Sequence, residues 1–171
     1  MEVRKLLVFL LLFILLFSSI SYGENPGHKV YLIVINKLTL GDIEKMDKLE
    51  ELANDGSIGL MNTRGFSGYT GVDSFLTINA SEKAYGNHNS IDFVSLEPNG
   101  PLVNKGLRKL INLNSDNNYS PYIGALGDNL HKRGLKTAIY GNSDSITTPY
   151  RYSALIPMDS QGLIDYGNID D

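Results

Sequence analysis

The sequence contains no cysteine among its 171 residues. Disulfide bonds are therefore excluded, and so is a lipid-modified cysteine that would tether the protein to a membrane. An exported chain without disulfides depends on packing or on bound ligands for its stability. Lys and Arg number only 15 against 19 acidic residues, which gives a net charge of −4. The basic residues form no stripe, and this argues against nucleic acid as a partner.

Long apolar runs are equally scarce, and the longest lies at the N-terminus. After a positively charged start, residues 6–17 are uninterruptedly apolar, and small residues follow at Ser21 and Gly23. This pattern predicts a signal peptide over residues 1–23, cleaved before Glu24. An uncleaved anchor is the alternative, but a spanning helix needs roughly 20 apolar residues. We expect an exported protein, extracellular or in the cell envelope, without a stable membrane span after cleavage.

Cleavage would leave 148 residues, enough for one domain with its own core. We interpret residues 24–29 as a linker. Residues 30–35 form a continuous β-branched apolar run, typical of a strand covered on both faces in a parallel sheet. A helix with a capping box at Thr39 and Asp42, followed by a short strand over 57–62, completes a βαβ unit.

Helical spacing recurs along the chain. The first helix carries an apolar face and is expected to end at Gly56. That face consists of Ile43, Met46, Leu49, Leu52 and Ala53. A second helix is expected around Val72, Phe75, Leu76 and Ile78, packed on the sheet. A third is expected to start at Ser120-Pro121, to bury Ile123, Leu126 and Leu130, and to end at Gly134.

The remaining segments are shorter or more polar. Residues 136–140 and 153–156 are strand-like. Residues 87–119 are rich in Asn, Ser, Asp, Gly and Pro, with helical spacing only over 102–113. We interpret 87–119 either as an insertion or lid over the sheet edge, or as an ordinary surface excursion.

The alternation of strands and helices predicts an α/β fold with an open, mostly parallel sheet and flanking helices. In that architecture ligands lie beyond the carboxyl ends of the strands. The loop that follows Asn62 is rich in glycine and hydroxyl groups and leads into the second helix. Thr70, at the expected start of this helix, lies where backbone N–H groups and the helix dipole favour phosphate or sulfate. A threonine there is also an ordinary helix cap.

Several stretches together resemble a known family. LEELANDGSIGLMNTR, the loop with Thr70 and FLTINASEKA follow one another as at the start of alkaline-phosphatase-superfamily proteins. The resemblance is to exported alkaline-phosphatase-like or sulfatase-like proteins of Gram-positive bacteria in particular. LGDNLHKRGLKTAIYGNSD and YRYSALIPMDSQGLIDYGNID are similar to later segments of that group, so the resemblance covers nearly all of residues 29–171.

The resemblance implies metal-dependent hydrolysis of phosphate or sulfate esters with two divalent ions, commonly zinc. Family members place a metal-binding Asp after the first strand and a Ser or Thr nucleophile, bridged to the same metals, at the start of a helix. Thr70 falls on the nucleophile position, whereas Ser67 and Ser74 are less well placed. Asn36 stands at the position of the Asp and offers only a neutral oxygen, which weakens any metal site.

A second departure concerns the other ligands. The family's remaining Asp and His ligands lie in the C-terminal half of its fold, and the sequence stops at Asp171. We therefore expect an incomplete domain, inactive alone, with half of a two-metal site or no metal. His28, His88 and His131 lack partners at metal-ligand spacing. The C-terminal acids are expected to be solvated; they are Asp159, Asp165, Asp170 and Asp171.

Asn142 and Asp144 follow the strand at 136–140 and are candidate substrate-binding residues, although a turn with an Asx hydrogen bond explains them equally well. Two functions stay open. One is a hydrolase acting on a small phospho- or sulfo-ester. The other is a non-catalytic envelope binding module or gene fragment that keeps only the α/β sheet. In either case an exposed sheet edge predicts self-association.

Overall fold

A computed structural model describes residues 29–35, 38–59, 61–62, 64–69 and 71–170. The chain divides into two units, residues 1–32 and 33–171, and the fold reported below is that of the second. The predicted signal peptide, most of the linker, Asn36 and Thr70 lie outside the described residues.

The helices and strands of the described residues are short. The α-helices are α1 (Leu40–Ile43), α2 (Asp47–Asp55), α3 (Gly71–Ala80), α4 (Leu107–Leu113) and α5 (Ala125–His131). The strands are β1 (Phe93–Ser95), β2 (Leu102–Asn104), β3 (Ala138–Tyr140), β4 (Leu163–Ile164) and β5 (Tyr166–Asn168). Two 3₁₀ helices span His88–Ser90 and Tyr152–Leu155. None of the helices in these ranges is long and apolar enough to cross a membrane.

The strands form two small sheets of different type. One is antiparallel, in the order β1-β2-β4, and pairs Val94 with Val103 and Val103 with Leu163. The other is a parallel pair, β3 and β5, in which Ile139 lies opposite Gly167. The fold is therefore α/β, with helices and small mixed sheets.

Helix α3 is at the centre of the hydrophobic core. Val72, Leu76 and Ala80 recur every four residues along it, and all three are buried. This confirms the predicted helix, except that Ile78 points to solvent and is 43% exposed. The core side chains from other elements are Ala84, Phe93, Leu102, Leu110, Ile123, Ala154, Leu155, Met158, Ile164 and Ile169.

A buried amide ties α3 to the segments around it. The Asn79 side chain is fully buried and donates hydrogen bonds to the carbonyl oxygens of Ile156 (3.1 Å) and Met158 (2.7 Å). Its oxygen accepts the backbone N–H of Gly124 at 2.6 Å. Asn79 thereby satisfies backbone groups that would otherwise be buried without partners.

The first predicted helix forms, but in two pieces. Asp42 accepts hydrogen bonds from the Thr39 backbone N–H (3.0 Å) and hydroxyl (2.6 Å), which confirms the capping box. The end at Gly56 is also confirmed, as the C-cap of α2. Neither α1 nor α2 fully buries a residue, and the apolar face predicted for this helix is only partly covered. Ile43, Leu49 and Ala53 are half-buried, whereas Met46 and Leu52 are exposed.

The two strands expected around this helix are absent from the described residues. Residues 29–35 form no strand, and neither do residues 57–59 and 61–62. The apolar residues of the first run are all exposed, from 43% at Ile35 to 92% at Val30. A strand of this composition needs neighbours on both faces, whereas the sheets of the second unit are built from other segments.

Residues 87–119 contribute to the core rather than only covering it. They contain β1, β2 and α4, and bury Phe93, Leu102 and Leu110. The helical spacing predicted over 102–113 is helical only from Leu107, because Leu102–Asn104 forms the central strand of the antiparallel sheet.

The third predicted helix starts later than expected. Helix α5 begins at Ala125, after Gly124 with a backbone φ of 97°. A Cβ on Gly124 would lie 2.1 Å from the Ser160 nitrogen, so tertiary packing sets this start rather than Ser120-Pro121. The predicted strand at 136–140 is confirmed as β3. The strand predicted at 153–156 is wrong, since Tyr152–Leu155 forms a 3₁₀ helix packed on α3.

Candidate functional site

The predicted nucleophile is framed by described residues on both sides. Thr70 itself lies outside them, but α3 begins at Gly71, the next residue. The loop before Thr70 turns tightly, since the Gly65 N–H donates to the Gly68 carbonyl at 2.7 Å. Thr70 thus directly precedes a helix of ten residues, as the sequence predicted.

A buried carboxylate lies in the first turn of α3. Asp73 is fully buried, and its two oxygens accept the backbone N–H groups of Ser67 (2.7 Å) and Gly86 (2.8 Å). Gly65 packs directly on it, because a Cβ on Gly65 would lie 2.5 Å from the Asp73 Cβ. Sequence reasoning did not single out Asp73. The available signal was an acid three residues after a predicted cap.

An aromatic pair covers the start of the same helix. The Tyr152 ring packs against Gly71, where a Cβ would lie 3.3 Å from the ring. The Tyr152 hydroxyl lies 3.2 Å from His88 Nδ1, and the Tyr150 ring is 5.6 Å from that of Tyr152. Burial, and then the nearby Tyr150, raise the pKa of Tyr152 above 10.0. The hydroxyl therefore keeps its proton and is a hydrogen-bond donor at neutral pH.

Further aromatic side chains adjoin the loop before Thr70. Phe66 packs edge-on against Tyr85 (5.7 Å between ring centroids) and against Tyr119 (6.3 Å). The Lys83 ammonium lies 5.4 Å from the centre of the Tyr119 ring. These contacts attach the loop to the segments around residues 83–85 and 119.

The predicted substrate-binding residues form a turn. The Asn142 side chain accepts the Asp144 backbone N–H (2.8 Å) and donates to the Ile169 carbonyl (2.7 Å). Asp144 accepts the Tyr150 backbone N–H (2.6 Å) and forms an ion pair with Arg151 (3.2 Å). The Asx hydrogen bond that the sequence left open as an alternative is thus present. Substrate binding by Asn142 and Asp144 stays a prediction.

The structure also brings together charged residues that the sequence left dispersed. His131 Nε2 lies 2.8 Å from an Asp165 oxygen, and Nδ1 lies 3.3 Å from Asp159. Asp159 and Asp165 are buried, so the expectation that they are solvated is wrong. Asp170 is exposed as expected and pairs with Arg151 at 2.7 Å. The missed signal was an acid flanked by apolar strand residues, in Leu-Ile-Asp-Tyr.

The electrostatics of this cluster favour an ionised Asp165. Burial alone would raise its pKa, but hydrogen bonds from Lys136, the Thr137 N–H and His131 outweigh burial and lower the pKa from 3.8 to about 2. The hydrogen bond between Lys136 and Asp165, together with the negative charge of Asp165, raises the pKa of Lys136. The cluster joins the end of α5 to the turn between β4 and β5, away from α3 in sequence.

The described residues around α3 do not fit a two-metal site. Both Asp73 oxygens are occupied by backbone N–H groups, and His88 Nδ1 faces the Tyr152 hydroxyl. Within the described ranges, no group of three or more His, Cys, Asp or Glu side chains is arranged to hold a metal ion. Asn36 and Thr70, the predicted metal positions, lie outside these ranges.

Comparisons with protein-family models, with curated proteins and with solved structures found no match to this chain.

Proposed function

We propose that this chain is the nucleophile-bearing part of an exported hydrolase of the alkaline-phosphatase kind, acting on phosphate or sulfate esters through Thr70. The observation that carries the proposal is the start of α3 at Gly71, directly after Thr70. The first backbone N–H groups of a helix have no partner within it and attract anions, aided by the helix dipole. The parallel pairing of β3 with β5 supports a larger, mostly parallel sheet in the complete fold.

The chemistry is assigned to residues of this chain. The Thr70 hydroxyl oxygen attacks phosphorus or sulfur in line with the ester oxygen, loses its proton, and releases the alcohol. Water then attacks the Thr70 phosphoryl or sulfuryl ester, releases phosphate or sulfate, and restores the hydroxyl. Tyr152, which packs on Gly71, carries a hydroxyl that is proposed to donate a hydrogen bond to the bound ester.

The buried charge of Asp73 sets a condition on this site. A carboxylate repels a nearby anion, and the repulsion is stronger in a protein interior than in water. No ion pair of Asp73 is found among the described residues, so none of the positive charges described there offsets this repulsion. A bound ester therefore needs a compensating positive charge, which is the reason to include divalent cations in the assay.

The test is turnover by the full chain of aryl phosphates, phosphodiesters and aryl sulfates, with zinc, magnesium or manganese added. We expect Thr70→Ala to abolish turnover and Thr70→Ser to keep part of it. Ser67→Ala is the matched control, since it removes a hydroxyl from the same loop and keeps the backbone N–H that bonds Asp73. No turnover by the unmodified chain refutes the proposal and agrees with the expectation from the sequence that the chain is inactive alone. Equal turnover by Thr70→Ala also refutes the proposal.

The alternative is a non-catalytic binding module of the cell envelope. It is supported by the exposed apolar run at residues 30–35 and by Leu52 of α2, which is 63% exposed. Such surfaces mark sites of protein association. Under this alternative, the unmodified chain shows no turnover with any metal, and charged substitutions in the run abolish association without changing the melting temperature.

A further inference from the structure

Asp73 is a buried titratable residue that the proposed chemistry does not use. Taking a carboxylate out of water costs several kcal/mol unless hydrogen bonds satisfy its oxygens. Asp73 is fully buried, and two short hydrogen bonds satisfy it, both from backbone N–H groups. Because burying this carboxylate in the first turn of α3 is energetically unfavourable, its presence there indicates a structural role.

The two hydrogen bonds join three separate segments. Ser67 belongs to the loop before α3, Asp73 to its first turn, and Gly86 to the segment after the helix. The packing is tight at both glycines. A Cβ on Gly65 would lie 2.5 Å from the Asp73 Cβ, and one on Gly86 would lie 2.5 Å from a methyl group of Val72.

The bond between Ser67 and Asp73 also closes a ring of backbone with Thr70 at its midpoint. The Ser67 nitrogen lies 2.7 Å from an Asp73 oxygen, and this bond limits the freedom of the described residues 68–69 and 71–72 between them. Asparagine at this position would accept only one of the two N–H groups, because its amide nitrogen is a donor and would face the other N–H. Charge-assisted bonds of this kind are also stronger than neutral ones.

We propose that Asp73 is a positioning residue that fixes the backbone through Thr70 by clamping Ser67 and Gly86 onto the first turn of α3. The catalytic importance of placing Thr70 rests on the proposed function. The clamp itself, which is the pair of hydrogen bonds from Ser67 and Gly86 to Asp73, does not. Asp73 is assigned no contact with the ester. It acts by holding residues 67–70 in one conformation before the substrate binds.

The first test is amide NMR on the full chain. In the unmodified protein the amide protons of Ser67 and Gly86 should be shifted downfield and exchange as slowly as those of α3. In Asp73→Asn both signals should move upfield and exchange about tenfold faster or more. Asp159→Asn is the matched control, because Asp159 is also buried and accepts two backbone N–H groups, from Gln161 and Leu163. It should leave the amides of Ser67 and Gly86 unchanged.

If Asp73→Asn fails to fold, the rate of amide-proton exchange at Ser67 and Gly86 in the unmodified protein tests the clamp by itself. A Ser67 amide that exchanges as fast as those of exposed loops overturns the clamp, and so does an unchanged Ser67 signal in a folded Asp73→Asn.

The second test separates the clamp from the proposed function. If the unmodified chain hydrolyses an ester, Asp73→Asn should lower kcat about tenfold or more without raising KM, because the anion loses a repulsive neighbour while Thr70 loses its position. A general loss of structure would also lower the apparent kcat, because fewer molecules are active, so circular dichroism must first show that Asp73→Asn is as fully folded as the unmodified chain. Wild-type kcat in a variant that has lost the Ser67 signal overturns the positioning role. If the unmodified chain is inactive and the amide signals respond as expected, the clamp stands and the proposed function fails.

Discussion

Three buried carboxylates join segments that are distant in sequence. Asp73 binds the loops on either side of α3, Asp159 closes the turn before β4, and Asp165 connects β3, β5 and α5. Each accepts at least two hydrogen bonds from backbone or charged donors. Because a buried carboxylate without such partners is strongly destabilising, each of these residues specifies the geometry around it.

The cluster around Asp165 predicts acid sensitivity. The pKa of Asp165 is about 2 in the folded protein against 3.8 for the free side chain, so the unfolded chain takes up a proton first as the pH falls. Stability from this residue is complete above about pH 5 and is lost progressively as the pH falls towards 2, by about 2 kcal/mol in total. Denaturant unfolding between pH 6 and pH 2.5 measures this loss.

Variants assign the acid sensitivity to Asp165. Asp165→Asn should be less stable at neutral pH and should show a flatter dependence of unfolding free energy on pH. Asp116→Asn, at an exposed position, should keep the dependence of the unmodified protein. An undiminished slope in Asp165→Asn contradicts the prediction.

At the scale of elements, α5 depends on close backbone contact. Its Gly127 packs on the chain at residues 158–159, where a Cβ would lie 2.6 Å from the Asp159 nitrogen. The segment it contacts is also fixed by Asn79, which bonds the Met158 carbonyl. Neither partner can move without breaking buried hydrogen bonds, so the helix and the segment are coupled.

Alanine substitutions test this coupling. Gly→Ala inside a helix ordinarily stabilises a protein by up to about 1 kcal/mol. We expect Gly127→Ala instead to destabilise it by about 1–3 kcal/mol, because the methyl group meets backbone. Gly41→Ala in α1 is the control, since no atom lies within 4 Å of its Cβ position, and it should be neutral or stabilising. Thermal unfolding followed by circular dichroism compares the two variants with the unmodified protein. A melting temperature of Gly127→Ala equal to or higher than that of the unmodified protein contradicts the close packing of Gly127 on residues 158–159.

At the scale of the whole molecule, the apolar run at residues 30–35 is an exposed surface, because each of its six side chains is at least 43% exposed. It is uncharged, β-branched and free of Pro and Gly, which is the composition of segments that pair with copies of themselves. The next two helices along the chain, α1 and α2, fully bury no residue. Chains of this kind associate unless another surface covers them.

We therefore expect the chain to self-associate, and Ile33→Lys to shift it towards the monomer in size-exclusion chromatography with light scattering. Ile33 is 74% exposed, so lysine there costs the fold little. Ile146→Lys is the control, because Ile146 is fully exposed outside the apolar run. A monomeric unmodified chain, or an equal effect of Ile146→Lys, contradicts the prediction.

The sequence alone determined the features that depend on neighbours in the chain. The capping box at Thr39, the end at Gly56, helix α3 and strand β3 all follow from local propensity and spacing, and the structure confirms them. The prediction that α3 follows Thr70 belongs to the same group, because a helix start is encoded within a few residues.

Tertiary structure decided what depends on contacts between distant segments. It buried Asp73 and Asp165, because N–H donors that make their burial tolerable come from other loops and strands, and it placed His131 beside Asp159. It moved the start of α5 to Ala125, through the contact of Gly124 with Ser160. It also left the run at 30–35 unpaired, since a strand needs a neighbouring strand, and pairing is a property of the assembled sheet rather than of the segment.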